Sequence, residues 1–238
     1  MRGVLALVVL LMGFAQSARA LPRPLADAQE ELDAASINSY SHVDVAAAAR
    51  RHTSSSVRRA ALVVLSTTAP TSARTGAVLM EALSDSDAEV RATAVWAHGV
   101  LGQRSARAVQ VGRTLLADPQ NRKAYRASVR LLAAEGLARM RVPDGRHALD
   151  QMLTDESPLV RILGYAAFRD LGPLGEIDAF EAVSSCLAKE PATLVRTVCV
   201  QLCSSIRGGR RDLIRAALMR EPDKAIRMTG LRALDEKP

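Results

Sequence analysis

Six arginines that each follow Val or Ile are the first candidates for chemistry in this chain. They are Arg58, Arg91, Arg130, Arg161, Arg196 and Arg227, and the steps between them are 33, 39, 31, 35 and 31 residues. Guanidinium groups bind phosphates and carboxylates through paired hydrogen bonds, so a regular series could form an anion-binding surface. A contact that joins neighbouring repeats would also need the same residue at the same position of every copy. We favour this second, structural interpretation.

Cysteine is the second reactive residue type. Cys186, Cys199 and Cys203 form an odd set, which allows at most one intramolecular disulfide. Cys199 and Cys203 are one helical turn apart, a poor geometry for a bridge. Two interpretations stay open: three buried small apolar residues, or a Cys186 disulfide across a helical hairpin.

Other catalytic patterns are missing from the sequence. His42, His52, His98 and His147 have no partner four residues away and no carboxylate at metal-ligand spacing. No Gly-x-Ser-x-Gly, glycine-rich phosphate loop or Cys-x-x-Cys occurs. We therefore predict no catalytic residue, no metal site and no cofactor.

The arginines belong to a repeated helical pattern. Each copy has small or apolar residues at positions 1, 5, 8 and 12, as in Val90, Ala94, Ala97 and Leu101. At about 100° per residue these positions form one stripe on a helix. A second apolar stretch and a polar turn precede each copy, so each unit is a helical hairpin. Repeated small residues on the stripe predict close approach of a neighbouring helix: Ala94, Gly136, Gly164 and Gly230.

The pattern resembles the HEAT-repeat family, in particular the variety first described in phycobilin lyases. The best matches are Leu83 to Gly102, with its acidic turn, Val-Arg pair and closing Gly-x-Leu-Gly, and Leu153 to Gly172. The resemblance covers roughly residues 43 to 236. It implies an all-α, right-handed superhelix (solenoid) of about six hairpins. It also implies that the arginines bond carbonyls and carboxylates of the turns, with Asp85, Asp118 and Asp155 available here.

The first twenty residues have the composition of a secretory signal peptide. Arg2 precedes the uncharged apolar stretch Val4 to Ala15, and Ala18-Arg19-Ala20 is a small-x-small cleavage site. We expect cleavage after Ala20, with an uncleaved anchor as the alternative. Residues 21–42 are then an N-terminal leader or capping helix, and residues 43–238 form the repeat domain. The predicted location is periplasmic or secreted, with no stable membrane span in the mature chain.

The charge does not favour nucleic acid as a partner. The chain has a net charge of +7, and its first 20 residues hold two arginines and no acid, which leaves +5. Aromatic residues that could stack on bases make up only 3% of the chain. The basic excess gathers in two clusters: Arg122, Lys123, Arg126, Arg130, Arg139, Arg141 and Arg146, and Arg207, Arg210, Arg211, Arg215 and Arg220.

A strip of apolar residues is predicted on the side of the second helices that faces away from the buried stripe. Its members are Leu62, Val63, Val95, Trp96, Leu131, Ile162, Tyr165, Val200, Met228 and Leu231. An exposed apolar strip often marks a contact site, and large amphipathic rings often anchor interfaces. We therefore predict partner binding by Trp96, Tyr165, Val95, Leu131 and Ile162. The alternative is that adjacent repeats or the N-terminal segment bury these side chains.

Together these features predict a non-catalytic protein- or peptide-binding scaffold or adaptor of the bacterial cell envelope, which uses the concave face of the solenoid. Two other classes stay open. One is an enzyme of the same architecture, either a lyase or a DNA glycosylase. The other is a structural subunit of an envelope complex.

Overall fold

The structure is a computed structural model that describes residues 23–171 and 176–235. Within these residues the regular structure is entirely helical, with no strand, which confirms the predicted all-α fold. The predicted signal segment 1–20 lies outside the described residues. The chain divides into two compact units between Pro70 and Thr71.

The described part of the first unit, residues 23–70, contains three helices. They are α1 (Arg23–Ala34), α2 (His42–Arg51) and α3 (Ser55–Thr68), and both α1 and α2 pack against α3. Helix α1 buries Leu25 and Leu32, the two residues that its apolar spacing places on one side. Ser41 begins α2 by accepting a hydrogen bond from the backbone N–H of Asp44.

The second unit consists of five helical hairpins. Their first helices are α4 (Ala73–Ala82), α6 (Ala106–Ala117), α8 (Pro143–Leu153), α10 (Glu176–Lys189) and α12 (Arg210–Leu218). Their second helices are α5 (Ala88–Val100), α7 (Ala127–Arg139), α9 (Pro158–Asp170), α11 (Thr193–Cys199) and α13 (Lys224–Asp235). With the α2–α3 hairpin of the first unit, the described residues therefore contain the six hairpins that the repeats predict.

The second helices share one register. Helices α3, α5, α7, α9, α11 and α13 each begin two residues before the Val or Ile of their copy. At that position Val57, Val90, Val129, Val160, Val195 and Ile226 are all buried. Within the second unit, α5 packs against α7, α7 against α9, and α9 against α11. This side-by-side stacking is the α-solenoid arrangement.

Two copies depart from regular helix. The turn before α7 contains two short 3₁₀ segments, Pro119–Arg122 and Ala124–Arg126, which accommodate the longest step in the repeat. In the fifth copy α11 ends after seven residues, and the chain continues as a 3₁₀ segment, Val200–Ser205, that packs against α13.

The predicted close approaches at small residues are present. A Cβ on Gly164 would lie 3.0 Å from Leu153 Cδ2, and one on Gly230 would lie 2.5 Å from Leu218 Cδ2. Backbone atoms lie close at two further glycines: a Cβ on Gly136 of α7 would lie 2.6 Å from the Val95 carbonyl oxygen of α5, and one on Gly145 of α8 would lie 2.4 Å from the Ala138 nitrogen of α7. These glycines are therefore explained by packing, despite their low helix propensity.

Candidate interaction surface

The six arginines of the repeat bond mainly to turns, and five of them bond to the turn before their own helix. In each of these five, Nη1 donates to the carbonyl six residues earlier, and the acceptors are His52, Asp85, Asp155, Glu190 and Glu221. In four of them Nη1 also donates to the carbonyl five residues earlier. The guanidinium groups thus donate hydrogen bonds to carbonyls of the turn, which lie before the helix and outside its own hydrogen-bond pattern.

The side chain of the residue six positions before the arginine also stabilises the turn. It accepts the backbone N–H two residues later, over 2.8 Å at Asp85, 3.0 Å at Asp155, 2.9 Å at Glu190 and 3.1 Å at Glu221. His52 makes the equivalent bond through Nδ1, at 3.2 Å. Asp, Glu and His side chains therefore stabilise the same turn geometry at this position.

The third copy is the exception because its turn is longer. Asp118 accepts the backbone N–H of Gln120 at 2.9 Å at the start of the first 3₁₀ segment. Arg130, twelve residues beyond Asp118, donates to Asp155 of the following turn at 2.7 Å. Of the three carboxylate residues proposed as arginine partners, Asp155 accepts Arg130 through its carboxylate, Asp85 accepts Arg91 through its backbone carbonyl, and Asp118 caps the 3₁₀ segment.

Three of the arginines also reach the next repeat. Arg130 pairs with Asp155, Arg161 pairs with both oxygens of Glu190 at 2.8 Å, and Arg196 Nε lies 3.6 Å from Glu221. The three arginine side chains are only 12%, 13% and 16% exposed. Burial acts to raise the pKa of Glu190, but the bonds from Arg161 and from the Ala192 N–H outweigh it and hold that pKa below its usual value. The structural interpretation of the arginine series is confirmed.

Several arginines of the two basic clusters are likewise occupied by protein groups. Arg139 pairs with Glu135, Arg146 with Asp150, and Arg215 with Asp235. The guanidinium of Arg210 lies over the ring of Phe180, 5.1 Å from its centroid. These contacts reduce the basic surface that an anionic partner could use.

Half of the ten residues of the predicted apolar strip are buried, and this corrects the expected exposure. Val95 is 0% exposed, Ile162 is 3% exposed and Tyr165 is 4% exposed, so these three side chains cannot meet a partner on the folded surface. Trp96 and Leu131 are partly exposed. Among the remaining members, Leu62 and Val200 are buried, Val63 and Leu231 are partly exposed, and Met228 is exposed.

The stacking of second helices explains the difference. A helical projection assumes one buried stripe, but each inner helix of a stack packs against its own first helix and against second helices on both sides. The carbonyl of Val95 faces Gly136 on α7. Burial raises the pKa of Tyr165, and Cys186 on α10 of the next hairpin raises it further. Neighbouring hairpins therefore cover the positions that a single helix would expose.

Trp96 is the strip member that combines exposure with a fixed orientation. Its Nε1–H donates to Oε1 of Glu135 at 3.1 Å, and the same oxygen accepts from Nε and Nη2 of Arg139 at 2.9 and 2.8 Å. Glu135 is only 7% exposed. The indole is thus held at its polar edge by a buried carboxylate, while part of its apolar ring meets solvent.

The helices beneath Trp96 are themselves tightly joined. A Cβ on Gly99 would lie 2.6 Å from the Gly136 carbonyl oxygen, and a Cβ on Gly136 would lie 2.8 Å from the Trp96 Cα. At the other end of the crossing, the Ser128 hydroxyl donates to Glu89 at 2.8 Å. Trp96 therefore lies on a helix pair whose backbones are in close contact.

The sequence did not single out Glu135 or Arg139 as partners of Trp96. Their four-residue spacing on α7 does predict their mutual ion pair. The bond to Trp96 joins residues 39 apart, and only the stacking of α5 on α7 brings them together. We call Trp96, Leu131, Glu135 and Arg139 the Trp96 surface.

Other candidate groups are dispersed. His98 is buried within α5, where burial lowers its pKa. Across the described ranges, no group of three or more His, Cys, Asp or Glu side chains could hold a metal ion. Among the described helices, none combines the length and the hydrophobicity needed to cross a bilayer.

Comparison with known proteins identifies repeats in part of the chain. The model of a family described as HEAT repeats matches residues 122–203. This range runs from the turn before α7 to the 3₁₀ segment after α11, and it includes the fourth copy. A comparison with curated proteins finds no match.

Proposed function

We propose that this chain, in which HEAT repeats occupy residues 122–203, is a non-catalytic scaffold that binds a protein or peptide partner. Stacked helical hairpins present extended surfaces that are used for such binding. The arginines of the repeat hold the turns, so their recurrence does not require a bound anion. The function then depends on side chains that the second helices present to solvent.

One observation carries the proposal, namely the anchoring of Trp96. Binding energy at interfaces concentrates in a few aromatic and arginine side chains. An indole fixed by an internal hydrogen bond loses little conformational freedom on binding, which favours affinity. Trp96 meets both conditions because buried Glu135 fixes its ring edge. Arg139, which holds the same carboxylate, lies beside it with part of its side chain exposed.

We infer that the partner presents an apolar side chain to the indole. Leu131 on the neighbouring α7 is partly exposed and extends the apolar character of the surface. The signal-like segment 1–20 supports a partner in the bacterial cell envelope. The Trp96 surface therefore replaces the longer strip as the proposed binding site.

The test is a matched pair of variants in a partner-capture experiment. Full-length protein, its Trp96→Ala variant and its Tyr125→Ala variant are used to capture proteins from an envelope extract, and each captured protein is re-tested as a binary complex. Truncation of Trp96 should weaken the binary complex by about 2 kcal/mol or more, as expected for an interface anchor. Tyr125 is 71% exposed and lies outside the Trp96 surface, so its variant should bind like the wild type.

Melting curves of the same proteins separate binding from folding. Wild type, Trp96→Ala and Tyr125→Ala should all unfold cooperatively above the binding temperature. Tyr165→Ala should instead lose roughly 3 to 5 kcal/mol of folding free energy, because a large buried ring is removed. Equal binding of every captured partner by the wild type and by folded Trp96→Ala would refute the proposed surface.

A further inference from the structure

The three cysteines form one buried cluster in the fifth hairpin. Cys186 lies on α10, Cys199 is the last residue of α11, and Cys203 lies on the 3₁₀ segment that follows. Their exposed fractions are 2%, 0% and 0%, and all three are reduced in the structure. Helix α10 packs against both α11 and the 3₁₀ segment. The sequence places two of these residues one turn apart, and the fold adds the third.

Within the cluster, Cys186 and Cys199 lie on α10 and α11, the two helices of the hairpin, which pack against each other. Burial raises the pKa of the Cys199 thiol and of the Tyr165 hydroxyl, and the neighbouring Cys186 side chain raises both further. The pKa of Cys203 is raised by burial and, to a smaller extent, by Cys186. Cys186 and Cys199 are therefore the pair that would join the two helices of the hairpin.

The backbone changes geometry at the same place. The other second helices contain 12 to 14 α-helical residues, whereas α11 contains seven and gives way to the 3₁₀ form after Cys199. A 3₁₀ stretch within a helical run has poorer hydrogen bonds and often marks strain or a hinge. The backbone beside Cys199 can therefore open or adjust more easily than the corresponding part of the other hairpins.

We propose that Cys186 and Cys199 form a disulfide that links α10 to α11, while Cys203 stays a thiol. Packing of α10 on α11 places both thiols in one buried cluster, and the disulfide forms when the two sulfur atoms approach to about 2.05 Å. A Cys199–Cys203 bridge is disfavoured because both residues lie in one helical run, one turn apart. The link closes a short loop that contains the turn bonded by Arg196, and it constrains the unfolded chain.

The bond forms by thiol–disulfide exchange with a small disulfide such as oxidised glutathione. One cysteine thiolate attacks the glutathione disulfide and displaces one glutathione thiolate, which gives a mixed disulfide. The second cysteine thiolate attacks that mixed disulfide and displaces the second glutathione. Two protein thiols are oxidised, one glutathione disulfide is reduced to two glutathione thiols, and these take up the two protons.

Burial of the cysteine thiols determines when this exchange can occur. It raises the pKa of the Cys199 thiol well above its usual value and raises that of Cys203 to about 12. Because the thiolate is the attacking species, the folded core reacts slowly. The exchange takes place while the chain folds, or when the segment around Cys199 opens.

The test uses the full chain, refolded with oxidised glutathione and then denatured, with free thiols counted by alkylation and mass spectrometry. One free thiol and a peptide pair linked through Cys186 and Cys199 are expected. Reduction should lower the melting temperature by about 6 to 12 °C, as expected for a closed loop of about 15 residues in a chain of this size.

Cysteine variants provide the controls. Cys203→Ser should form the same link and retain no free thiol, whereas Cys186→Ser and Cys199→Ser should each retain two. Disulfide mapping of the wild-type protein tests the proposal even if one of the variants fails to fold. Three free thiols in the oxidised wild type, a link through Cys203, or glutathione adducts in place of the link would overturn the proposal.

Discussion

At Arg161 one guanidinium group serves two turns. It donates to the carbonyls of Asp155 and Glu156 before its own helix and pairs with Glu190 of the next turn. Arg161 and Glu190 are 13% and 6% exposed. Loss of this side chain leaves a mostly buried carboxylate and two carbonyls without their donor, which costs more than the net contribution of the bonds themselves.

We therefore expect Arg161→Ala to lower the free energy of unfolding by about 1 to 3 kcal/mol, because buried acceptors lose their partner. Chemical denaturation at neutral pH measures this loss. Arg113→Ala is the matched control. Arg113 pairs with Asp144, but the two side chains are 50% and 42% exposed, so its removal should cost less than about 1 kcal/mol.

The stability of Arg161→Ala at acidic pH gives a second test of this ion pair. The pKa of folded Glu190 lies below its usual value, so ionised Glu190 stabilises the fold above that usual value. The contribution is lost as the pH falls through the folded-state pKa. The difference between wild type and Arg161→Ala should therefore shrink in acid. An equal difference at neutral and acidic pH would show that the ion pair adds nothing to the carbonyl bonds.

Residue roles could be predicted from the sequence where a feature recurs. The arginines occupy one position in six copies, and this repetition favoured a structural role before the turn bonds were known. The bond from Trp96 to Glu135 occurs once and spans 39 residues, so no local spacing indicates it. The burial of Tyr165 depends on α10, whose position no single helix determines.

At the scale of elements, the crossing of α5 and α7 depends on the absence of two side chains. Gly99 and Gly136 face each other, and each lies against backbone atoms of the partner helix. A backbone contact cannot be relieved by rotation of a side chain. The two helices must separate if a methyl group is introduced.

Gly136→Ala should therefore destabilise the protein by about 1 to 3 kcal/mol through overpacking, although alanine is the better helix former. Gly76→Ala on α4 is the control, since a Cβ there would meet nothing within 4 Å. That variant should gain about 0.4 to 1 kcal/mol from the reduced freedom of the unfolded chain. Thermal denaturation of both variants measures the contrast, and a stabilised Gly136→Ala would contradict the close crossing.

The elements themselves could largely be predicted, because helix periodicity is a local property. All six second helices begin at the same place relative to the Val-Arg or Ile-Arg pair. The two 3₁₀ departures had no equally clear signal. The first follows from an insertion that shows only as a 39-residue step, and the second interrupts a copy whose apolar spacing is regular.

At the scale of the whole molecule, repetition predicts how hairpins stack and does not predict what they bind. Each repeat satisfies the same internal requirements, namely a capped turn, a buried stripe and a bonded arginine. A partner surface instead depends on residues that break the repetition. Trp96, the only tryptophan in the chain, is such a residue, whereas the buried strip members are common packing residues.

The location of the protein restricts its partners, and we propose that it is exported. Arg2, the apolar stretch Val4 to Ala15 and the small residues of Ala18-Arg19-Ala20 are the parts of a cleavable signal. The apolar stretch is shorter than the roughly 20 residues that span a bilayer, which favours cleavage over anchoring. An exported chain would also meet the oxidising conditions in which disulfides persist.

N-terminal sequencing of the protein from the envelope fraction should therefore give Leu21 as the first residue. Ala20→Leu is the matched variant, since a bulky residue replaces the small one before the scissile bond. This variant should accumulate as a precursor that retains Met1, while the wild type is processed. Recovery of the wild type with Met1 intact in the cytoplasm would contradict export, and recovery with Met1 in the membrane would identify an uncleaved anchor. Processing at Leu21 would limit the partners of the Trp96 surface to envelope and secreted proteins, because the mature chain would meet no others.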